Sequence, residues 1–262
     1  MDLLLKNKKI LITGGSKGIG FACAKVLASE GADLIISSRS QDNLDEAIQN
    51  LRIFGVELHS FPADVSKREG TEALAEFVNE RFGYLDGLVV NSGGPPMGAA
   101  LGHSDEVWMS AIDTLLMSVV RLTRYFVPEM KKRNFGRVIS ISSTGVKQPI
   151  EGLVLSNSVR QAAGAYLKTL SAEVASSNVF INTLLPGATN TERLSALHET
   201  IARNKGMRIE EVIEMRKKSI PAGKFADPEN LASLAAFLLS EKNGYITGQS
   251  IAVDGGMISF PI

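Results

Sequence analysis

Apolar runs of strand length alternate along this chain with segments of helical length, from the first ten residues almost to the last. The strand candidates are Lys9 to Thr13, Asp33 to Ser37, Glu57 to Pro62, Gly87 to Asn91, Arg137 to Ser142, Phe180 to Leu185 and Ser250 to Val253. Their Ile, Leu and Val runs lack clean in-and-out alternation, as strands covered on both faces do, and that points to a parallel sheet. Ser66-x-x-Glu69 has the spacing of a capping box, and Asp227 followed by Pro228 reads as an N-cap with proline at the first helical position. The β-α order predicts an α/β fold: a doubly wound sheet of about seven parallel strands with helices on both faces. With no repeat, low-complexity tract or linker, residues 1–262 read as a single domain. One long departure runs from Ala188 to Ala226, charged and partly helical, between the sixth strand and the last helix. Ligands of open α/β sheets bind beyond the carboxyl ends of the strands, so this insertion is expected to act as a lid over a substrate.

Composition narrows the class. The 262 residues, 44% hydrophobic, suit one α/β domain large enough to bury a substantial core. The 28 basic and 28 acidic residues cancel, which gives no argument for nucleic acid or a membrane surface as partner. The single cysteine, Cys23, lies in a predicted helix and has no internal partner, so a reducing compartment is the economical expectation and a small buried apolar role the simple one. Met1-Asp2-Leu3-Leu4-Leu5-Lys6 is too short for a signal-peptide core or a membrane span. A soluble, cytoplasmic protein is expected.

The first candidate chemistry is Thr13-Gly14-Gly15-Ser16-Lys17-Gly18-Ile19-Gly20, between a strand and the helix expected over Ile19 to Glu30. Glycines at 14, 18 and 20 would let backbone and helix N-terminus approach a pyrophosphate, although a tight β-α turn alone would also use them. The second strand ends in Ser37-Ser38-Arg39. NAD sites of such folds place an acid near this point for the ribose hydroxyls, and NADP sites replace it with a cation. Here Ser38 takes the place of the acid and Arg39 follows, with Lys17 in the glycine loop as a second cation to flank a 2′-phosphate. NADP(H) is therefore favoured over NAD(H); the alternative is that both cations are solvated surface charges.

These residues together resemble the short-chain dehydrogenase/reductases, in particular the β-ketoacyl-carrier-protein reductase-like group, a single-domain Rossmann-type fold. The resemblance covers nearly the whole chain. It runs through the glycine loop, Ala63-Asp64-Val65, Val90-Asn91-Ser92-Gly93, Ile141-Ser142-Ser143, Pro186-Gly187 with Thr191, and Ile246-Thr247-Gly248 leading to Val253-Asp254-Gly255-Gly256. It implies that Gly14, Ser16, Lys17, Gly18, Ile19 and Gly20 cradle the cofactor, with Ser38, Arg39, Asp64 and Val65 toward the adenine end. Asn91 and Gly93 would lie near the cofactor ribose, and Pro186, Gly187 and Thr191 would flank the nicotinamide. It also implies a homo-oligomer, dimer or tetramer, paired through the helices expected over Ser104 to Arg133 and Leu155 to Ser176.

The catalytic positions the resemblance implies are altered. The family sets a serine thirteen residues before a tyrosine; counted from Ser143 this reaches Ser156, with Arg160 in the place of the family lysine and Leu115 in that of an asparagine. No Tyr-x-x-x-Lys occurs elsewhere, since Tyr84, Tyr125, Tyr166 and Tyr245 precede Leu88, Glu129, Leu170 and Gln249 by four. Serine is a much poorer acid than a phenol, and arginine offers a fork of donors but keeps its proton. On a helix, Ser156 and Arg160 share a face, with Arg160 also placed for the cofactor ribose. Two readings stay open. In one, an oxidoreductase passes hydride between NADP(H) and a carbonyl or alcohol (3-oxoacyl, sugar or similar), with Ser143 orienting the oxygen, Ser156 and Arg160 polarising it, and water or a substrate group supplying the proton. In the other, a catalytically silent regulatory or structural protein binds the same dinucleotide.

Other candidates are weaker. His59, His103 and His198 lack the spacing of a metal site; His198, in the lid, is the one histidine positioned to substitute as an acid. Gly93-Gly94-Pro95-Pro96 would shape the pocket, and Trp108, Met109 and Met117 read as core or subunit interface.

Overall fold

The computed structural model describes residues 2–260, so Met1 of the leucine-rich start lies outside the described residues. Seven strands, β1 (Lys9–Thr13), β2 (Asp33–Ser38), β3 (Leu58–Pro62), β4 (Gly87–Val90), β5 (Gly136–Ile141), β6 (Val179–Pro186) and β7 (Ser250–Val253), form one parallel sheet in the order β3-β2-β1-β4-β5-β6-β7. The central strands are buried throughout, as β4 and β5 show, which is why their sequences run apolar without alternation.

Helices cover both faces. On one side α1 (Gly18–Ser29), α2 (Gln41–Leu51) and α9 (Pro228–Leu239) pack Leu27, Leu44 and Ala235 against Ile12 and Ile36 of the sheet. On the other, α3 (Arg68–Phe82), α5 (Ser118–Lys132) and α6 (Val154–Val174) bury Val78, Phe126 and Leu167 against Leu11, Leu88 and Val138. Cys23 is buried in α1, its thiol pushed up to about 12 by that burial, so it acts as a small apolar side chain. Among the described residues no helix is long and apolar enough to cross a membrane.

Two local expectations change. The capping box at Ser66 and Glu69 does not form: α3 begins at Arg68, and Ser66 instead gives both its backbone N–H (3.0 Å) and its hydroxyl (2.7 Å) to the Asp64 carboxylate. The N-cap position falls on Lys67, one residue past Ser66, and Ser66, donating to the charged carboxylate two residues back, closes a loop instead. The expected helix over Ser104 to Arg133 is interrupted in the middle. It consists of α4 (Asp105–Ile112), a π-helical segment at Asp113–Met117, and α5. Arg121 of α5 braces that segment, donating to Asp113 Oδ1 at 2.9 Å and to the Ser66 carbonyl at 2.8 Å. The cap at Asp227 does form, with Pro228 first in α9 and Asn230 accepting from the Asp227 N–H at 2.9 Å.

Candidate functional site

Winding reverses between β1 and β4, and at such a switch point the loops leaving the strand ends part to open a crevice. Thr13 and Asn91 fix its floor. The Thr13 hydroxyl donates to the Asn91 carbonyl (2.9 Å) and accepts from its N–H (3.0 Å), while Asn91 Nδ2 donates to the Gly14 carbonyl at 3.0 Å. The glycine loop needs its glycines for distinct reasons. Gly14 and Gly18 take positive φ, +57° and +55°, a region that L side chains rarely adopt. A Cβ on Gly20 would run into the Gly14 carbonyl and the Asn91 amide, so Gly20 seats α1 under the loop and lines neither cavity of the crevice. Lys17 caps α1 by backbone alone, leaving the first N–H groups of the helix for an anion.

Two cavities meet on Gly14, Ser16, Asn91, Ser92 and Gly93. The smaller, about 430 Å³, is bordered by Ser38, Arg39, Asp64, Val65 and Ser66, and the buried Ser37 hydroxyl on its wall has no hydrogen-bond partner. Arg39 is exposed there. Lys17 does not join it: its Nζ lies 3.4 Å from both Glu192 carboxylate oxygens, on the larger cavity. The two cations expected together therefore border different spaces.

The larger cavity, about 870 Å³, carries Gly18, Ile19, Ser143, Ser156, Arg160, Pro186, Gly187 and Thr191 on its wall, so all three predicted catalytic side chains share one space with the glycine loop. Ser143 follows β5 in extended backbone, and its Oγ accepts from the Gly145 N–H at 3.1 Å, which leaves its own proton free to donate. Ser156, 4% exposed, lies in the first turn of α6, and Arg160 follows one turn on. Leu155, Val159 and Ala163 hold the apolar side of that helix. Arg160 donates to the Ile141 carbonyl at 2.9 Å, while its buried Nε has no partner. Burial, with the Arg193 charge in support, brings the Arg160 guanidinium down to about 10. Asn157 steadies the opposite lip, its amide donating to the Ile150 carbonyl (2.9 Å) and accepting from the Ile150 N–H (3.3 Å).

Two candidates fall elsewhere. Leu115 belongs to the π-helical segment and is packed with Ala111, Leu155 and Val159, away from both cavities. His198 does not face Ser143, Ser156 or Arg160. It is buried against Phe225, with ring centroids 5.2 Å apart, and lines a separate cavity behind the lid; burial and the Arg216 charge lower its pKa. From there it is not placed to act as an acid beside Ser143, Ser156 and Arg160, as the sequence suggested it could.

The insertion after β6 folds into α7 (Glu192–Lys205) and α8 (Ile209–Lys218), and places Arg193, Leu194, Leu197, Ile201 and Arg216 on the large cavity. Met97, Ile150 and Met257 add to its apolar lining. None of these was singled out from sequence; the charged lid was the available signal, but only the fold says which of its side chains turn inward. Among the described residues no group of three or more His, Cys, Asp or Glu side chains is arranged to hold a metal ion.

A family model described as Enoyl-(Acyl carrier protein) reductase matches residues 14–258. Dehydrogenase/reductase SDR family member 4 of Bos taurus is 34% identical over 256 residues, which covers 97% of this chain and 88% of the bovine protein. Among solved structures, the L-sorbose reductase of Gluconobacter frateurii, complexed with NADPH and L-sorbose, aligns over 100% of both chains with a TM-score of 0.95 and 33% identity. An actinorhodin polyketide ketoreductase variant with NADPH aligns with a TM-score of 0.93 and 29% identity, over 97% of this chain and 98% of its own.

Proposed function

Because the chain belongs to the short-chain dehydrogenase/reductase family, whose oxidoreductases act on carbonyl and alcohol groups, we propose that it is an NADP(H)-dependent oxidoreductase with an atypical Ser143, Ser156 and Arg160 site. The observation that carries this reading is the common wall: those three side chains and the glycine loop border one cavity, which opens into the space beside Arg39. The residues fit a dinucleotide. The free N–H groups at Gly18 and Ile19 suit its pyrophosphate, Arg39 its 2′-phosphate, Asp64 and Val65 its adenine end, and Asn91 with Gly93 its ribose. Pro186, Gly187 and Thr191 border the nicotinamide side. The NADPH in the L-sorbose reductase and ketoreductase structures supports the same choice of cofactor. When bound, the nicotinamide supplies or accepts the hydride.

The chain's own part is to bind and polarise. Ser143 donates a hydrogen bond from its free hydroxyl to the substrate oxygen, with the Gly145 N–H fixing its Oγ. Arg160 stays charged at neutral pH even when lowered to about 10, so it stabilises negative charge on that oxygen and donates to the ribose hydroxyls without giving up its proton. The product proton then comes from water or a substrate group. The same family reading gives a homo-oligomer, with the exposed Met109 of α4 and Tyr125 of α5 on the contact face.

A second reading, a silent dinucleotide binder, is favoured by one observation: no phenol stands at position 156, and general acid catalysis is worth on the order of a hundred- to ten-thousand-fold. Loss of NADPH absorbance with a panel of ketones, aldehydes, sugars and acyl thioesters separates them; bound NADPH with background turnover supports the binder. A double variant, Ser156→Tyr with Arg160→Lys, then asks what was lost. Reduction of a simple ketone or 3-oxoacyl thioester is expected to rise by about a hundredfold or more. A folded, NADPH-binding double variant with no gain on any substrate would reject proton donation as the missing function.

A further inference from the structure

Three arginines border the large cavity, and among the described residues none of them is ion-paired. Arg160 comes from α6, Arg193 from the first turn of α7 and Arg216 from the last turn of α8. Arg193 crosses the cleft: its guanidinium lies against the Gly94 backbone on the facing loop, where a Cβ would overlap it. It is also close enough to Arg160 for its charge to help hold that group below the ordinary arginine range. Desolvation lowers Arg216 in the same direction. The acids of this cavity are engaged or exposed. Glu192 faces Lys17, Glu46 and Glu151 are exposed, and among the described residues no carboxylate makes an ion pair with any of the three arginines.

Arg160 and Arg193 repel each other in this partly desolvated cleft, Arg216 borders the same space, and among the described residues none of the three has a carboxylate partner, so an anion is the group the site is missing. Guanidinium forks match carboxylate or phosphate with paired hydrogen bonds. Met97, Ile150, Leu197 and Met257 nearby suit an apolar body. We propose that the substrate is an anionic carbonyl or alcohol compound, an apolar chain ending in one carboxylate or phosphate, with Arg193 and Arg216 holding the anion while Ser143 and Arg160 face the reacting oxygen. The reaction step rests on the oxidoreductase reading; the binding of the anion does not. In that step hydride from NADPH adds to the carbonyl carbon, the C=O electron pair moves to oxygen, and water supplies the proton.

The test uses NADPH-loaded protein with 4-oxopentanoate and 6-oxoheptanoate, each against its methyl ester, read both by calorimetric binding and by kcat/KM. Wild type is expected to prefer each acid at least tenfold, and Arg193→Met and Arg216→Met are each expected to bring the acid-to-ester ratio toward one. Equal treatment of acid and ester by wild type, or no binding of either acid, would overturn the proposal. So would variants that lose NADPH affinity with the ratio unchanged, since the arginines would then serve the cofactor's phosphates. Should neither compound turn over, calorimetry alone decides the anion site, and the oxidoreductase reading is judged separately on the wider substrate panel.

Discussion

Arg39 is the side chain on which the proposed preference for NADP(H) turns. It borders the smaller cavity, on the space a 2′-phosphate would need, and Ser38 beside it offers no charge to oppose one. Arg39→Asp is expected to weaken NADPH binding far more than NADH binding, because it puts an acid where the phosphate belongs. Titration calorimetry that finds equal losses would reject the assignment. Residues of this kind are legible in sequence because their partners are near in the chain or fixed by a strand end. Gly14, Gly18 and Gly20 sit around one turn, and Ser156 and Arg160 share one helix, with Ser143 just past the strand that precedes it. Arg193 and Arg216 were not legible. Their meaning depends on Gly94 and Arg160 across the cleft, far away in sequence, and on two lid helices whose inward faces no local pattern marks.

The elements themselves read well because burial on both faces leaves an apolar run for every central strand. What failed were junctions, where side chains choose between neighbours. Asp64 claims Ser66 from the cap of α3, and the long helix gives way to a π-helical segment. That segment bears on the rebuilding experiment. Leu115 is 3% exposed against Leu155 and Val159, so Leu115→Asn would bury an amide among aliphatic side chains. Added to the double variant, it is expected to cost about 1–3 kcal/mol, checked by denaturant melts, rather than to complete a proton path. The lid carries its own titration. His198 is buried beside Phe225, with Arg216, Lys217, Lys224 and Asp227 the charged groups around it, and its pKa is lowered by burial and then by Arg216. A histidine lowered in the folded state binds more protons unfolded, so its contribution is fully present above its ordinary value of about 6.5 and is lost as pH falls below it. Thermal melts between about pH 8 and pH 5 should show a steeper acid-side decline for wild type than for His198→Leu. Parallel curves would show that the ring titrates as freely in the fold as outside it.

Across the whole molecule, the two cavities are joined by more than their shared floor. Arg121 holds the Ser66 carbonyl, beside the Asp64 turn of the smaller cavity, and Asp113, the first residue of the π-helical segment that packs on the Ser156 and Arg160 helix. One guanidinium thus answers to both ends of the cleft, and linkage makes such a coupling reciprocal: a ligand that orders one end lowers the cost of ordering the other. Saturation with NADPH is expected to slow amide hydrogen exchange at 113–117 as well as at 63–66, and Arg121→Met to confine the slowing to 63–66. If exchange at 113–117 ignores the cofactor in wild type, the two ends are independent. If the coupling holds, Arg121 lets the protein sense that its cofactor is loaded before the reacting groups are set, so that order of binding is written into a side chain that touches neither ligand.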